Sequence, residues 1–313
     1  MKHWIEAARV RTLPLSVSGI LVGSFYALSK PTENVLTPTQ VFSWSIFGLL
    51  MLTTIGLQVL SNFANDYGDG VKGTDNEDRI GPKRALQSGV ISPTAMKRAI
   101  VITAILTFLS AVLLIYTAFG LEYLYYSIFF LLLGIIAIAS AIRYTVGKSA
   151  YGYKGYGDIF VFVFFGLVST YGSYFMFSKV IDWYLLLPAI AIGFLSVGVL
   201  NLNNMRDEFS DKKAGKNTIV VKIGGAKARQ YHYFLVITAM VLLLVFGILQ
   251  HFAIDQYIYL IVFLPIISHL LRVSRTQNPA DLDPELKRLA ISTFMVSLLL
   301  SLCLIYFISD IIV

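Results

Sequence analysis

Between Gln58 and Ser92 the chain reads QVLSNFANDYGDGVKGTDNEDRIGPKRALQSGVIS, where carboxylates, amides and cations crowd together at the end of an apolar run. Gln58, Asn62, Asn65 or Asp66, and Asp69 recur at i, i+4, i+7 or i+8, and i+11, which is one face of a helix. Asp75 and Asp78 follow, with the cations Lys72, Arg79, Lys83 and Arg84, while Gly70, Gly73 and Gly81-Pro82 keep the helix from simply continuing. Carboxylates in this pattern hold a divalent ion, and cations beside them hold phosphate oxygens. A charged loop facing water has the same composition, so the stretch alone leaves both readings open.

A second cluster, NLNNMRDEFSDKKAGKNTIVVKIG, starts at Asn201 directly after the apolar run GFLSVGVL. Asn203, Asp207 and Asp211 are spaced by four, and at about 100° per residue successive members lie only about 40° apart on a helix. In the first cluster Asp66 and Asp69 are about 60° apart by the same geometry. Both clusters carry Asn and Asp back into an apolar span, where unpaired polar groups are costly and mark function. Two such faces meeting could bind one or two Mg²⁺ through oxygen ligands. Mg²⁺ keeps part of its water and favours a few carboxylates plus substrate phosphate, so a pyrophosphate ester is the matching ligand.

These faces must be positioned by membrane helices. The chain has 313 residues, 57% hydrophobic and 14% charged, with a mean hydropathy of +0.73, too apolar for a soluble domain of this size. The first apolar run starts at Leu13 behind Arg9 and Arg11 and reads as a retained helix, not a cleaved signal. The nine segments 13–29, 41–65, 97–118, 122–142, 158–178, 183–204, 231–251, 256–273 and 289–309 are each long enough to cross a bilayer. Of 25 Lys and Arg, all but Lys30 and Lys179 then fall on one side. That side is the cytoplasm, with the N-terminus and both Asp-rich loops in it and the C-terminus outside. The net charge of +7 accordingly reports topology and lipid headgroups, not nucleic acid. The expectation is one all-α polytopic domain over 1–313, with a faint echo of a duplicated four-helix unit plus a ninth helix. Cys303, the single cysteine, excludes an intrachain disulfide.

A third polar element, IRYTVGKSAYGYKGYGDIFVFVFFG, joins the fourth and fifth segments. Tyr151, Tyr153 and Tyr156 alternate with Gly152, Gly155 and Gly157 around Lys154, between Arg143-Tyr144 at one helix end and Asp158 at the next helix start. Such a loop could pack over a flat ring and offer a cation to an anionic substituent. An interfacial aromatic belt with a snorkelling Lys would read alike. Phe160, Phe164, Tyr171 and Phe175 share a face that reads as lipid-facing or core packing. His3, His232, His251 and His269 are scattered, with no pair at ligand spacing. No Walker A loop, nucleophile elbow or dinucleotide-binding Gly motif occurs.

With these three elements in place, the chain resembles the UbiA superfamily of membrane-embedded aromatic prenyltransferases essentially end to end. WIEAARVRTLPLSV matches the basic start of the family, NDYGDGVKGTDNEDRIGPKRALQSGVIS its first Asp motif, and NNMRDEFSDKKAGKNT its second. YGYKGYGDIFVFVFFGLVSTYGSYF and the GPKR stretch favour the branch that prenylates 1,4-dihydroxy-2-naphthoate in menaquinone synthesis. One spacing departs from the superfamily pattern of Asp-x₂-Asp-x₃-Asp, because position 73 is Gly and the next carboxylate is Asp75.

The resemblance implies a bundle of about nine helices, Mg²⁺ as cofactor, and transfer of a polyprenyl chain from polyprenyl diphosphate to the ring, with loss of pyrophosphate and CO₂. It implies Asp66, Asp69, Asp75, Asn203, Asp207 and Asp211 toward metal. Asn62, Asn65, Lys72, Arg79, Lys83, Arg84 and Lys216 would lie toward the diphosphate. Arg143 and Lys154 would receive the acid group of the acceptor, with Tyr144, Tyr151 and Asp158 positioning its hydroxyls. The donor tail would pass between helices into membrane lipid, in a bacterial plasma membrane. Other readings are the same fold acting on 4-hydroxybenzoate, homogentisate or haem, and a secondary transporter. A transporter would hold its coupling carboxylates near mid-membrane, whereas these cluster at span ends. CDP-alcohol phosphotransferases also use Asp clusters at a membrane face, but their Asp-Gly/Ala-Arg string does not occur here.

Overall fold

The computed structural model describes residues 2–30, 42–75, 80 and 83–312, and within these only helices, turns and irregular segments occur. The short α1 (Lys2–Ala8) leads across a 55° bend into α2 (Leu13–Ser29). Then come α3 (Trp44–Lys72), α4 (Pro93–Phe119), α5 (Leu124–Arg143), α6 (Gly157–Ser178) and α7 (Leu186–Arg206). Two short helices, α8 (Glu208–Lys213) and α9 (Ile219–Ile223), precede α10 (Gly225–Leu249), α11 (Ile254–Arg275) and α12 (Asp283–Ile312). Among the described residues eight helices are long and apolar enough to span a bilayer, and the bent α1–α2 pair supplies the ninth. All nine expected segments coincide with helices, though α3 runs one to two turns beyond the apolar run and carries its polar stripe with it.

Helix ends are chemically marked. Ser43 and Ser92 cap α3 and α4 by accepting the backbone N–H groups of Ile46 and Ala95. Gly73 closes α3 at φ 73°, a conformation that glycine adopts without strain. α7 stops at Asp207, and Lys216 is reached through a turn with Gly215 at φ 71°. The second Asp cluster therefore straddles a helix break, not one continuous face.

α7 is the most enclosed span, packed by α6, α10 and α12, while α2 lies between α6 and α12 and α3 runs along α4. α3 and α7, the two helices that carry Asp clusters, each stand second in a run of four long helices. The outward faces of α4 and α5 expose Ile102, Leu106, Leu109, Leu132 and Ile136, as expected where the solvent is lipid.

α6 is irregular in a consequential way. From Phe162 to Gly172 it winds as a π-helix, a form that rarely exceeds one turn and concentrates at functional sites. Its neighbours are cut away to fit it. A Cβ at Gly19 or Gly23 of α2 would overlap Ser169, the Thr170 carbonyl or Ser173, and one at Gly166 would stand 2.6 Å from the Gly193 Cα of α7.

Candidate active site

A cavity of about 320 Å³ lies among α2, α3, α4, α5 and α6. Along α3 its wall passes from Leu50 to Asn65, fifteen residues or about 22 Å of helix rise. Ile20, Leu114, Ile115, Phe130 and Met176 make its deep part apolar, and Gln58, Ser61, Asn65, Tyr144 and Tyr151 line its polar part. Phe160 and Phe164 belong to the wall, so the aromatic stripe of α6 reads as cavity lining at these positions, not as lipid-facing surface. Phe160 stacks on Tyr151 at 3.9 Å between centroids, and Tyr144 meets Tyr151 edge-on at 5.3 Å. Gly152 and Gly157 leave room for that ring: a Cβ at either would stand 3.1 Å from Tyr144 Cε2.

The first Asp cluster follows directly after Asn65 on α3. Asp66 is 2% exposed and its Oδ1 has no protein hydrogen-bond donor. Asp69 accepts from Arg84 Nη1 at 2.6 Å and from the Tyr153 hydroxyl at 2.9 Å. Arg84 also pairs with Asp75 at 3.0 Å and donates to the Asn65 carbonyl at 3.3 Å. Burial alone would lower the Arg84 guanidinium, but Asp69 and Asp75 outweigh it and hold it above its ordinary value. Thr145 anchors this end of α3 from α5's exit, donating to the Ala64 carbonyl at 2.9 Å and to Asn65 Oδ1 at 3.3 Å.

The second cluster reaches the same place from α7 and α8. Lys216 lies 3.4 Å from Asp211 Oδ1 and is 6% exposed. Burial would lower its ammonium, yet Asp69 and Asp211 together raise it, so one lysine feels carboxylates of both clusters. Burial lifts the Asp211 carboxyl to about 6; Lys216 opposes that rise, and Asp207 and Asp69 add to it. Tyr144 is raised to about 12, first by burial, while Lys216 pulls it down and Asp158, Asp69 and Asp211 push it up. Its ring therefore stands where the two clusters and the cavity adjoin. Asp158 is buried and hydrogen-bonded to Tyr231.

Tyr153, like Arg206, has no role assigned from sequence. Its hydroxyl contacts Asp69 and, at 2.5 Å, Thr74. Lys72 sits 4.0 Å from its ring centroid and Lys216 5.9 Å. The Tyr153 carbonyl accepts from the Asn217 N–H at 3.0 Å, and the Lys154 carbonyl from Lys222 at 2.6 Å, clasping the Tyr/Gly loop onto the loop after Asp211. Its alternation with Gly is visible in sequence, but nothing local shows that Tyr153 and not Lys154 turns inward.

Several sequence-level assignments are placed differently. Arg143 is exposed and donates to Ser149 at 3.3 Å, and the Lys154 side chain is exposed, so neither lines the cavity. Helical phase is the reason: one residue on, Tyr144 takes the inward position at the end of α5, and within the 3₁₀ turn Tyr151–Lys154 Tyr153 does. Asn62 does line the cavity, and its amide is also engaged with the α1–α2 bend, donating to the Ala8 carbonyl at 2.8 Å and to Thr12 at 3.2 Å. Asn203 and Asp207 face Arg206, whose Nε and Nη2 grip both Asp207 oxygens at 2.8 and 2.7 Å and whose Nη2 reaches Asn203 Oδ1 at 2.9 Å. Lys83 is exposed, and Arg79 lies outside the described residues. Far apart in sequence, His232 and His269 meet at 2.9 Å, and His269 bonds Glu285 at 2.7 Å, a buried chain joining α10, α11 and α12.

The donor set suits Mg²⁺ in chemistry: buried Asp66 Oδ1 and Asp211 Oδ2 have no protein donor, and hard carboxylate oxygens are what this ion takes. Among the described residues no three carboxylates converge on a single point. The clusters thus offer two separate faces that a metal with substrate oxygens would complete.

The UbiA prenyltransferase family model matches residues 34–298. A 1,4-dihydroxy-2-naphthoate octaprenyltransferase of Haemophilus influenzae is 41% identical, over 97% of this chain and 96% of its own length. The enzyme of that name from Escherichia coli is 40% identical, over 95% of this chain and 92% of its own. Among solved structures, a UbiA homolog from Archaeoglobus fulgidus bound to GPP and Mg²⁺ superposes with a TM-score of 0.68 at 17% identity, covering 98% of this chain and 99% of that one. With the fold, the motifs and the length all in agreement, the chain belongs to the UbiA prenyltransferase family.

Proposed function

We propose that this protein transfers a polyprenyl chain from polyprenyl diphosphate to 1,4-dihydroxy-2-naphthoate, releasing pyrophosphate and CO₂ and yielding a demethylmenaquinol. One observation carries the reading: the two carboxylate clusters are linked through Tyr153, which bonds Asp69 and accepts from the Asn217 N–H, and they lie beside Asn65 and Tyr144, which line the polar part of an otherwise apolar cavity. The near-full-length relatives carry that activity in their names.

Asp66, Asp69, Asp207 and Asp211 would hold Mg²⁺, with Asp75 and Asn203 at the margins of the two faces. Bound there, Mg²⁺ would neutralise the diphosphate and favour departure of pyrophosphate. Arg84, Lys72 and Lys216 supply cationic contacts for the two anionic groups, the diphosphate and the carboxylate of the acceptor. As the allylic carbon gains positive charge, Phe160 and Phe164 present ring faces to it. The apolar wall excludes water that would otherwise capture that carbon. Tyr144 and Tyr153, fixed between the clusters, orient the ring that attacks. The bacterial relatives support a bacterial plasma membrane setting, and the distribution of Lys and Arg supports this face being in the cytoplasm.

The test is a radiolabelled transfer assay on purified protein in nanodiscs, with 1,4-dihydroxy-2-naphthoate and a polyprenyl diphosphate. Lipid-soluble product and CO₂ should form together and both vanish with EDTA. Product from 4-hydroxybenzoate alone would overturn the acceptor assignment.

A further inference from the structure

Each carboxylate cluster is occupied by a guanidinium. Arg84 bridges Asp69 and Asp75 in the first, at 2.6 and 3.0 Å, and is largely buried. Arg206, 4% exposed, grips both oxygens of Asp207 and the Asn203 amide oxygen in the second, while its Nη1 pairs with Asp283 on α12. The contacts differ in form, Arg84 using Nη1 alone for both carboxylates and Arg206 a two-nitrogen fork on one, and the two arginines come from opposite directions, one 15 residues after its main carboxylate and the other immediately before it. Buried carboxylates need a partner charge, and these have one built in. Oxygens that a metal would take are therefore already held by a cation of the chain.

The geometry points to an exchange: Arg84 and Arg206 are resident counter-cations that a divalent ion must displace, and the displaced guanidinium edges then bind the diphosphate oxygens. A planar fork released from a carboxylate is matched to phosphate. For Arg206, Asp283 keeps the side chain tethered while the Nε–Nη2 edge turns. Metal alone binds poorly because it competes with arginine. Metal and diphosphate together bind well because each accepts what the other releases, a coupling between two ligands at one site. The inference rests on the clusters being a metal–diphosphate site.

It predicts opposite effects on the two ligands. Mn²⁺ serves as the probe, its free concentration read by electron paramagnetic resonance in a titration of full-length protein in nanodiscs, without any diphosphate. Arg206→Gln and Arg84→Gln should each bind Mn²⁺ about fivefold or more tighter than wild type. Inorganic pyrophosphate, titrated by calorimetry at saturating Mn²⁺, should bind each variant about tenfold more weakly. Arginines that merely brace the carboxylates would give looser Mn²⁺ binding on removal, and unchanged or weaker Mn²⁺ binding in both folded variants overturns the exchange. If a Gln variant fails to fold, Arg206→Lys and Arg84→Lys keep the charge without the fork, and the same inverse pair of shifts is expected at smaller size. Wild type that takes up no Mn²⁺ even with pyrophosphate overturns the metal–diphosphate reading as well.

Discussion

Asp66 differs from Asp69 in one respect that sets its expected mutant behaviour: one of its buried oxygens has no donor from the chain. Asp66→Asn keeps the shape and removes the charge. It should lower kcat/KM by about a hundredfold or more, as loss of a group stabilising developing charge does, with a melting temperature close to wild type. Tyr153→Phe deletes the contacts to Asp69 and Thr74 while keeping the ring under Lys72; a loss of about tenfold is expected, each hydrogen bond to a charged group being worth about 1.5–3 kcal/mol. Tyr153→Ala, losing the ring as well, should lose more. pH acts through Asp211, lifted to about 6 by burial. A divalent ion takes the ionised form, so at limiting Mg²⁺ turnover should fall as pH drops through about 6, and excess Mg²⁺ should move that limb lower. Stability of the metal-free protein should run the other way. A carboxyl raised from 3.8 binds its proton more tightly folded than unfolded, so stability declines as pH rises from about 4 to 6, and melting in EDTA across that range reads it. The Asp and Asn residues stood out in sequence because polar groups running back into apolar spans are rare. Four-residue spacing did not give the geometry of the second cluster, since the helix breaks at Asp207. Arg206 and Tyr153 did not stand out, because which neighbour turns inward depends on where a helix ends.

At the scale of elements, hydrophobic length placed every span, since a bilayer demands about 20 apolar residues whatever the fold. It says nothing of winding or order of packing. Nothing in FVFFGLVSTYG distinguishes a π-helix from an α-helix; the π-wound segment is packed closely against Gly19 and Gly23 on α2 and Gly193 on α7. The close contact at Gly166 makes the point measurable. Gly166→Ala places a methyl against the Gly193 Cα and the Ala189 carbonyl, and overpacking of this kind costs about 1–3 kcal/mol. A lowered unfolding midpoint is expected. Gly48→Ala, where a Cβ meets nothing within 4 Å, should leave the midpoint unchanged or higher.

For the molecule as a whole, the lopsided charge distribution is an argument about orientation, and Cys303 makes it simple to check. It is the chain's single cysteine and is buried, so Cys303→Ala gives a cysteine-free background. New cysteines at the exposed positions Lys148 and Lys213 should then react with an impermeant maleimide only in inside-out vesicles, and one at the exposed Trp183 only in right-side-out vesicles. The His232–His269–Glu285 chain shows what no local pattern could give, because its members are 37 and 16 residues apart and meet only when α10, α11 and α12 pack. The π winding of α6 belongs to the same class. Information specifying the path of one segment is stored in other segments, so a peptide of residues 157–178 synthesised by itself and placed in micelles should relax to an ordinary α-helix. In inheritance, too, the shape of this wall can be lost while every residue of the wall is kept, through a change at Gly19 or Gly23 on a helix that contributes little else to it.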